Sequence, residues 1–387
     1  MTRPIYLDNS ATTMPFKEVV EDFYNNYSFE YFNPSSLYKP SLIVRNKVEN
    51  CREKIARMLS CKPNDVFFLA SGTDANNLAI LSYKNKLKKD DVVLYSAIEH
   101  PSVMNTCKEL ERYGVLVKSI PVNKNGLIDL DKFHNLLDEN VILICIMHVN
   151  NEVGSVNDLK TICSIRDKYA PNASIHIDGV QGFLKVPFSF KDYNVQSYSL
   201  SAHKIHGFKG TGVLAINNFK PQPYRFGGGQ EMGIVSGTEN TLGIISLDKA
   251  IDVYNAFPNA GVYMRNLKTQ LVNCINDKIP NSVIIGPDPF NENISSPNII
   301  NIAFTPLRSD VMLNALDARD IYVSSGSACS SKKQKISSIL KALNIPNNIA
   351  ESAIRFSLSI LNTSDEIVET ADAISDIYNK YSKYVRR

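Results

Sequence analysis

Net charge is scarce in this chain of 387 residues: 42 Lys plus Arg stand against 39 Asp plus Glu. The resulting +3 gives no electrostatic reason to expect direct binding to nucleic acid or to an anionic membrane. Long apolar runs are scarce as well. The longest, Val141 to Val149, falls far short of the ~20 residues a spanning helix needs, and a buried strand explains it better. The opening MTRPIYLDNS carries one Arg and then a Pro, with neither an apolar leader core nor a small-residue cleavage site, so a cytoplasmic rather than exported protein is expected. Cysteine pairing signals are missing too. Cys51, Cys61, Cys107, Cys145, Cys163, Cys274 and Cys329 are odd in number, scattered, and form no C-x-x-C pair, which argues against a disulfide framework or a structural zinc site. Cys51 in a helical pattern and Cys145 in the apolar run read as small core residues. No internal repeat or low-complexity tract is found.

What the chain has is a rhythm. Short apolar segments at Asp65–Leu69, Val92–Tyr95, Val115–Ile120, Val141–His148, Ser174–Ile177, Gln196–Leu200 and Gly212–Ile216 alternate with helical patterns, which predicts an α/β fold with a mainly parallel seven-stranded sheet covered on both faces. One helix is expected over Ser41 to Ser60, with Leu42, Val48, Cys51, Ile55 and Leu59 on its apolar side and Pro63 closing it. Beyond about Asn255 the pattern changes to a long amphipathic stretch and polar Asn-Pro-Ser loops. A smaller α+β domain is expected there, with a helix near Val262–Ile279, strands near Asn301–Phe304 and Ile354–Ser357, and a last helix from about Ser364 carrying Ile367, Ala371, Ile374 and Tyr378 at helical spacing. The division reads as 14–257 for the large domain, with 1–13 and 258–387 forming the small one.

In such a sheet ligands bind beyond the carboxyl ends of the strands, so the polar residues there come first. Ala70-Ser71-Gly72-Thr73 opens a helix and can offer N–H groups and a hydroxyl to a phosphate, although with a single glycine it reads equally as an ordinary strand-to-helix turn. Asp178 ends a strand, with Gln181 three residues on. Ser201-Ala202-His203-Lys204 places a hydroxyl, an imidazole and an amine on one turn, and the glycines at 207, 210 and 212 allow close packing around Lys204. A lysine desolvated there would have the lowered pKa that covalent carbonyl chemistry requires. His203 and His206, with His148 and His176, keep no ligand spacing with any carboxylate or cysteine, so no metal is expected. His100 closes another strand end. Cys329 lies in Ser-Ser-Gly-Ser-Ala-Cys-Ser-Ser, followed by Lys332, Lys333 and Lys335, a small-residue electropositive setting that favours a thiolate.

Together these segments resemble the cysteine desulfurases of the class V aminotransferase group, in the NifS/IscS-like branch. YLDNSATT, FNPSS, Glu99-His100, MHVNNEVG, HIDGVQ, SAHKIHG, GGGQE, SGTEN, SSGSACSS and IRFSL follow one another in the family's order over nearly the whole chain. The resemblance implies a pyridoxal 5'-phosphate (PLP) transferase of fold type I acting on L-cysteine. Lys204 would bind the cofactor covalently, His100 would stack on its ring and move protons, and Asp178 would pair with the protonated ring nitrogen. Gln181 and Asn151 would contact the ring, Gly72, Thr73, Ser201 and His203 would hold the phosphate, and Thr238 would reach it from the second subunit of a homodimer. Arg355, with Asn33 and Asn151, would bind the substrate, and Cys329 would take the sulfur as a persulfide for an acceptor such as an iron–sulfur scaffold or a tRNA-thiolation enzyme. The resemblance leaves open a related PLP lyase, selenocysteine lyase among them, and a catalytically weakened sulfur-transfer scaffold.

The chain departs from the family pattern at four places. The phosphate turn reads ASGTD, with Ser71 and Asp74 where Gly and Glu are usual; Phe226, Met232 and Val235 stand for His, Arg and Arg; Phe208 replaces Pro; and Ser359-Ile360 replaces Gly-Arg. These changes suggest an altered substrate or acceptor, while the lysine, aspartate, cysteine and carboxylate-binding arginine remain.

Overall fold

The computed structural model describes residues 4–223, 225–326 and 336–384. The chain opens with strand β1 (Ile5–Tyr6), helix α1 (Lys17–Glu30) and helix α2 (Lys39–Leu59). Strands and helices then alternate: β2 (Val66–Leu69), α3 (Gly72–Leu81), β3 (Val92–Ser96), α4 (Pro101–Glu109), β4 (Leu116–Ile120), α5 (Leu130–Asn135), β5 (Val141–Met147), α6 (Leu159–Tyr169), β6 (Ser174–Asp178), β7 (Ser197–Ser201), β8 (Gly212–Ile216) and α7 (Thr241–Ala256). The rest holds α8 (Ala260–Lys278), β9 (Val283–Ile285), β10 (Ile299–Ala303), α9 (Ser309–Asp317), β11 (Ile321–Tyr322), α10 (Ser338–Ala342), α11 (Asn347–Ala350), β12 (Ala353–Ser357) and α12 (Ser364–Tyr381).

Each of the seven expected apolar segments is a strand, and they form one sheet in the order β2-β8-β7-β6-β5-β3-β4. β8 runs antiparallel to both its neighbours, and the pairs from β7 to β4 are all parallel. The central strands β5 to β8 are buried almost throughout, because helices cover both faces and leave no solvent side for polar alternation. A second sheet, β12-β10-β9, is antiparallel, and β1 pairs with β11. Two main cores result. One packs Val48, Ile55, Ile144, Ile177 and Leu200 around the large sheet; the other packs Leu7, Leu271, Phe304, Phe356 and Ile374 around the small one.

Helix α2 corrects the sequence expectation at one residue. Its buried stripe runs Val44, Val48, Cys51, Ile55, Leu59, and Leu42 is exposed because it sits two positions before Val44, far round the helix from the stripe. Helix α12 starts as expected, on a capping box in which Thr363 Oγ1 accepts from the Glu366 N–H and Glu366 Oε2 accepts from the Thr363 N–H. No helix among the described residues is long and apolar enough to cross a membrane.

Candidate active site

A cavity of about 340 Å³ opens at the carboxyl ends of β5, β6 and β7, where β12 of the smaller sheet closes against them. It gathers Gly72, Thr73, His100, Asn151, Asp178, Gln181, Ser201, His203, Lys204 and Arg355, residues the sequence scatters over nearly three hundred positions. Two expected residues are elsewhere. Asn33 is exposed on the loop between α1 and α2, and its Oδ1 is spent locally, accepting from the Ser35 N–H at 2.9 Å. Thr238 lines a separate, smaller recess with Gly237 and Arg225. Cys329, with Lys332, Lys333 and Lys335, lies outside the described residues.

Each side chain is placed by an element end. β6 delivers Asp178, whose Oδ2 accepts from Asn76 Nδ2 at 2.9 Å and whose Oδ1 accepts from the Val180 N–H at 3.0 Å. Asn76 on α3 is a hub that spacing alone did not disclose. Its Nδ2 also donates to Ser102 Oγ at 2.9 Å, and its Oδ1 accepts from Ser199 Oγ at 2.6 Å and His176 Nε2 at 3.0 Å, so all four valences of the amide are used. Ser102 passes the chain on. With its oxygen accepting from Asn76, its hydroxyl donates to His100 Nδ1 at 2.8 Å, beside the Ser102 N–H at 3.1 Å. His100 is therefore the neutral tautomer with its proton on Nε2, and burial pushes it below its ordinary pKa against the opposing charge of Asp178.

β7 runs into the turn that carries Lys204, whose amine donates to the carbonyls of Ser10 at 2.5 Å and Ala11 at 2.7 Å. The amino-terminal segment thus forms one wall of the site. His203 Nδ1 meets Thr12 Oγ1 at 3.1 Å, and burial together with Lys204 lowers its pKa to about 4, leaving a neutral imidazole beside the amine. Helix α3 begins at the cavity with Gly72 and Thr73, its N-cap Ser71 accepting from the Asp74 N–H at 3.1 Å. Gly72 is required by close approach, since a Cβ there would stand 2.7 Å from Val180 Cγ2. The open N–H groups and the positive end of the helix make this an anion site. On β12 Arg355 is 2% exposed, donates to the Asn151 carbonyl at 3.0 Å and pairs with Asp8 Oδ1 at 2.5 Å.

Five buried polar atoms around this one cavity have no partner among the described residues: Ser10 Oγ, Glu99 Oε2, Asn151 Oδ1, Gln181 Oε1 and Arg355 Nε. A buried group left unpaired costs about 1–3 kcal/mol, so this concentration points to a compact polar ligand with acceptors, donors and negative charge. A phosphorylated pyridine aldehyde fits: the α3 start would take the phosphate, Lys204 would offer its amine, and Asp178 its carboxyl group.

The substituted positions have their own explanations. Val235 is buried against Leu69, Leu214 and Ile216, an apolar setting with no room for a solvated guanidinium, while Met232 and Phe226 are exposed. Arg225 stands 3.7 Å from Asp74, so the shortened acid at the phosphate turn has a cation opposite it. His148 and His176 are buried, and their ring nitrogens are taken up by side chains, His148 Nδ1 by Tyr198 Oη and His176 by Ser197 Oγ and Asn76 Oδ1.

Sheet, lysine turn and strand-end aspartate together define a PLP-dependent enzyme of fold type I. The chain belongs to the class-V aminotransferase family, whose model matches residues 5–369. It is 34% identical over 95% of its length to "Cysteine desulfurase IscS" of Clostridium botulinum (strain Hall), covering 92% of that protein. It is 33% identical over 98% of its length to the cysteine desulfurase IscS of Dictyoglomus turgidum, covering 96% of it. Among solved structures, a NifS-like protein superposes with a TM-score of 0.89 at 32% identity, over 98% of this chain and all (100%) of that one. The NifS-like protein from Rickettsia africae gives 0.84 at 31% identity, over 97% and 100%. The cofactor is pyridoxal 5'-phosphate.

Proposed function

We infer that the chain is a PLP-dependent cysteine desulfurase that moves the sulfur of L-cysteine onto Cys329 and releases L-alanine. The observation that carries this reading is the convergence of Lys204, Asp178 and Arg355 on one cavity ringed by unpaired polar atoms. The bound cofactor supplies an electron sink conjugated to the substrate amino group, and everything else is done by the chain. Gly72, Thr73, Ser201 and His203 would hold the phosphate, Gln181 and Asn151 the ring substituents, and Asp178 the ring nitrogen. Arg355 takes the substrate carboxylate through its planar fork, with Asp8 and the Asn151 carbonyl fixing its orientation. Lys204 would bind the cofactor and, as a free amine, would hold the proton removed from the substrate Cα, and the neutral His100 would carry a second transferable proton on Nε2.

Cys329 then attacks the substrate sulfur as thiolate. An S–S bond forms as the substrate Cβ–S bond breaks, and the three-carbon fragment keeps the electron pair and takes up protons to leave as alanine. The described residues that follow this cysteine support the role: Ser338 and Ile339 line the cavity, and Ser337 Oγ donates to Glu152 Oε2 in its wall at 2.6 Å. The persulfide passes to a thiol-bearing acceptor protein. The working unit is a homodimer in which Thr238 completes the partner's phosphate site, and the exposed Tyr27, Phe29, Tyr31, Leu37 and Tyr38 supply an apolar surface for it. Purified protein loaded with PLP should form alanine from cysteine and show a visible absorption band that Lys204→Ala abolishes. A band without alanine would overturn the substrate assignment.

A further inference from the structure

Two carboxyl groups face the same buried cavity, Glu99 and Asp178, 4% and 2% exposed, and the protein treats them differently. Asp178 has a donor on each oxygen, Asn76 Nδ2 on one and the Val180 N–H on the other. Glu99 has one: the Met147 N–H reaches Oε1 at 2.6 Å, and Oε2 is buried with no partner among the described residues. Two like charges in one desolvated pocket oppose each other's ionisation, and the carboxyl with fewer donors is the one that keeps its proton. Burial, and then the charge of Asp178, push Glu99 well above the ordinary carboxylate range. The remaining ionisable groups against it, Cys107 on α4 and Cys145 on β5, are buried thiols that offer no cation. A proton on Oε2 needs an acceptor, and the described residues provide none.

We propose that Glu99 is a further cofactor-binding residue, with Oε1 anchored on the Met147 N–H and Oε2 donating a hydrogen bond to a lone-pair acceptor of the bound cofactor. This rests on the PLP reading above and deepens it. The two acids divide their work: Asp178 meets a cationic atom as an anion, and Glu99 meets an acceptor as a neutral donor. Neither can replace the other.

The test titrates the apo forms of wild type, E99Q and E99L with PLP, followed by visible absorption. E99Q keeps an acceptor for Met147 and a donor for the ligand, so it binds within about twofold of wild type and shows the same band. E99L has neither and binds at least about tenfold more weakly. E99Q losing as much affinity as E99L would mean that a charge is required and would overturn the proposal, as would E99L binding like wild type. Should E99L fail to fold by circular dichroism, E99Q alone decides, a loss beyond about tenfold counting against it. Wild type taking up no PLP would refute the cofactor reading itself, an outcome distinct from a defect confined to the variants.

Discussion

We propose that substrate selection turns on Arg355. Its fork is buried, Nη2 on Asp8 and Nη1 on the Asn151 carbonyl, with Nε unpartnered among the described residues. A lysine there would keep the charge and lose the paired geometry, so Arg355→Lys should raise KM for cysteine by roughly 10–100-fold with kcat changed much less. Steady-state kinetics on cysteine check this; an unchanged KM would remove Arg355 from the substrate site. His148 makes a different prediction. Burial lowers its pKa to about 4, so between pH ~6.5 and about 4 the unfolded state binds a proton that the folded state does not, and stability falls as pH falls through that window. The slope is about 1.4 kcal/mol per pH unit for one histidine. Denaturation of wild type and His148→Gln at several pH values should show wild type losing ground to the variant on acidification, whereas parallel curves would contradict it.

At the scale of elements, α2 is tied to the turn after β8 by a buried pair. Arg52 Nη1 and Nη2 each reach a Glu231 oxygen at 2.9 Å, and Glu231 Oε2 also accepts from the Phe68 N–H of β2. Glu231→Ala would strand the guanidinium in the interior and should cost roughly 3–5 kcal/mol in chemical denaturation. Thr363→Ala, which breaks the capping box of α12 at an exposed helix start, should cost only about 1 kcal/mol. The strands of the large sheet were legible in the sequence because each is a short apolar run between turn residues. The antiparallel course of β8 was not, since alternation and apolarity carry no direction. Leu42 was placed on the wrong side of α2 because the run of apolar residues there is denser than the stripe that is buried. Asp178 and Lys204 were visible as polar residues at strand ends, and Gly72 as part of a small-residue turn opening a helix. Asn76 and Glu99 were not, because their roles come from partners such as Asp178 and Met147 brought close only by the sheet, and no spacing encodes that. Asn33 shows the converse, a motif residue whose side chain is satisfied by its own loop.

For the whole molecule, we propose that the two cores correspond to two domains, 14–257 and 1–13 with 258–387, and that the active site lies in the seam. The amino-terminal segment is what joins them: Leu7 packs in the small core, while the Ser10 and Ala11 carbonyls hold Lys204 on the large sheet. Substrate carboxylate and cofactor would thereby be held by different domains. Sedimentation of the holoenzyme should give twice the chain mass, and a monomer with full activity would exclude the role given to Thr238. The central claim, that sulfur leaves cysteine by way of Cys329, is tested most directly by mass spectrometry of the PLP-loaded protein after one exposure to cysteine. The account predicts one added sulfur on the peptide containing Cys329, with alanine formed in equal amount, and neither in Cys329→Ser. Undiminished alanine and sulfide from Cys329→Ser would contradict it.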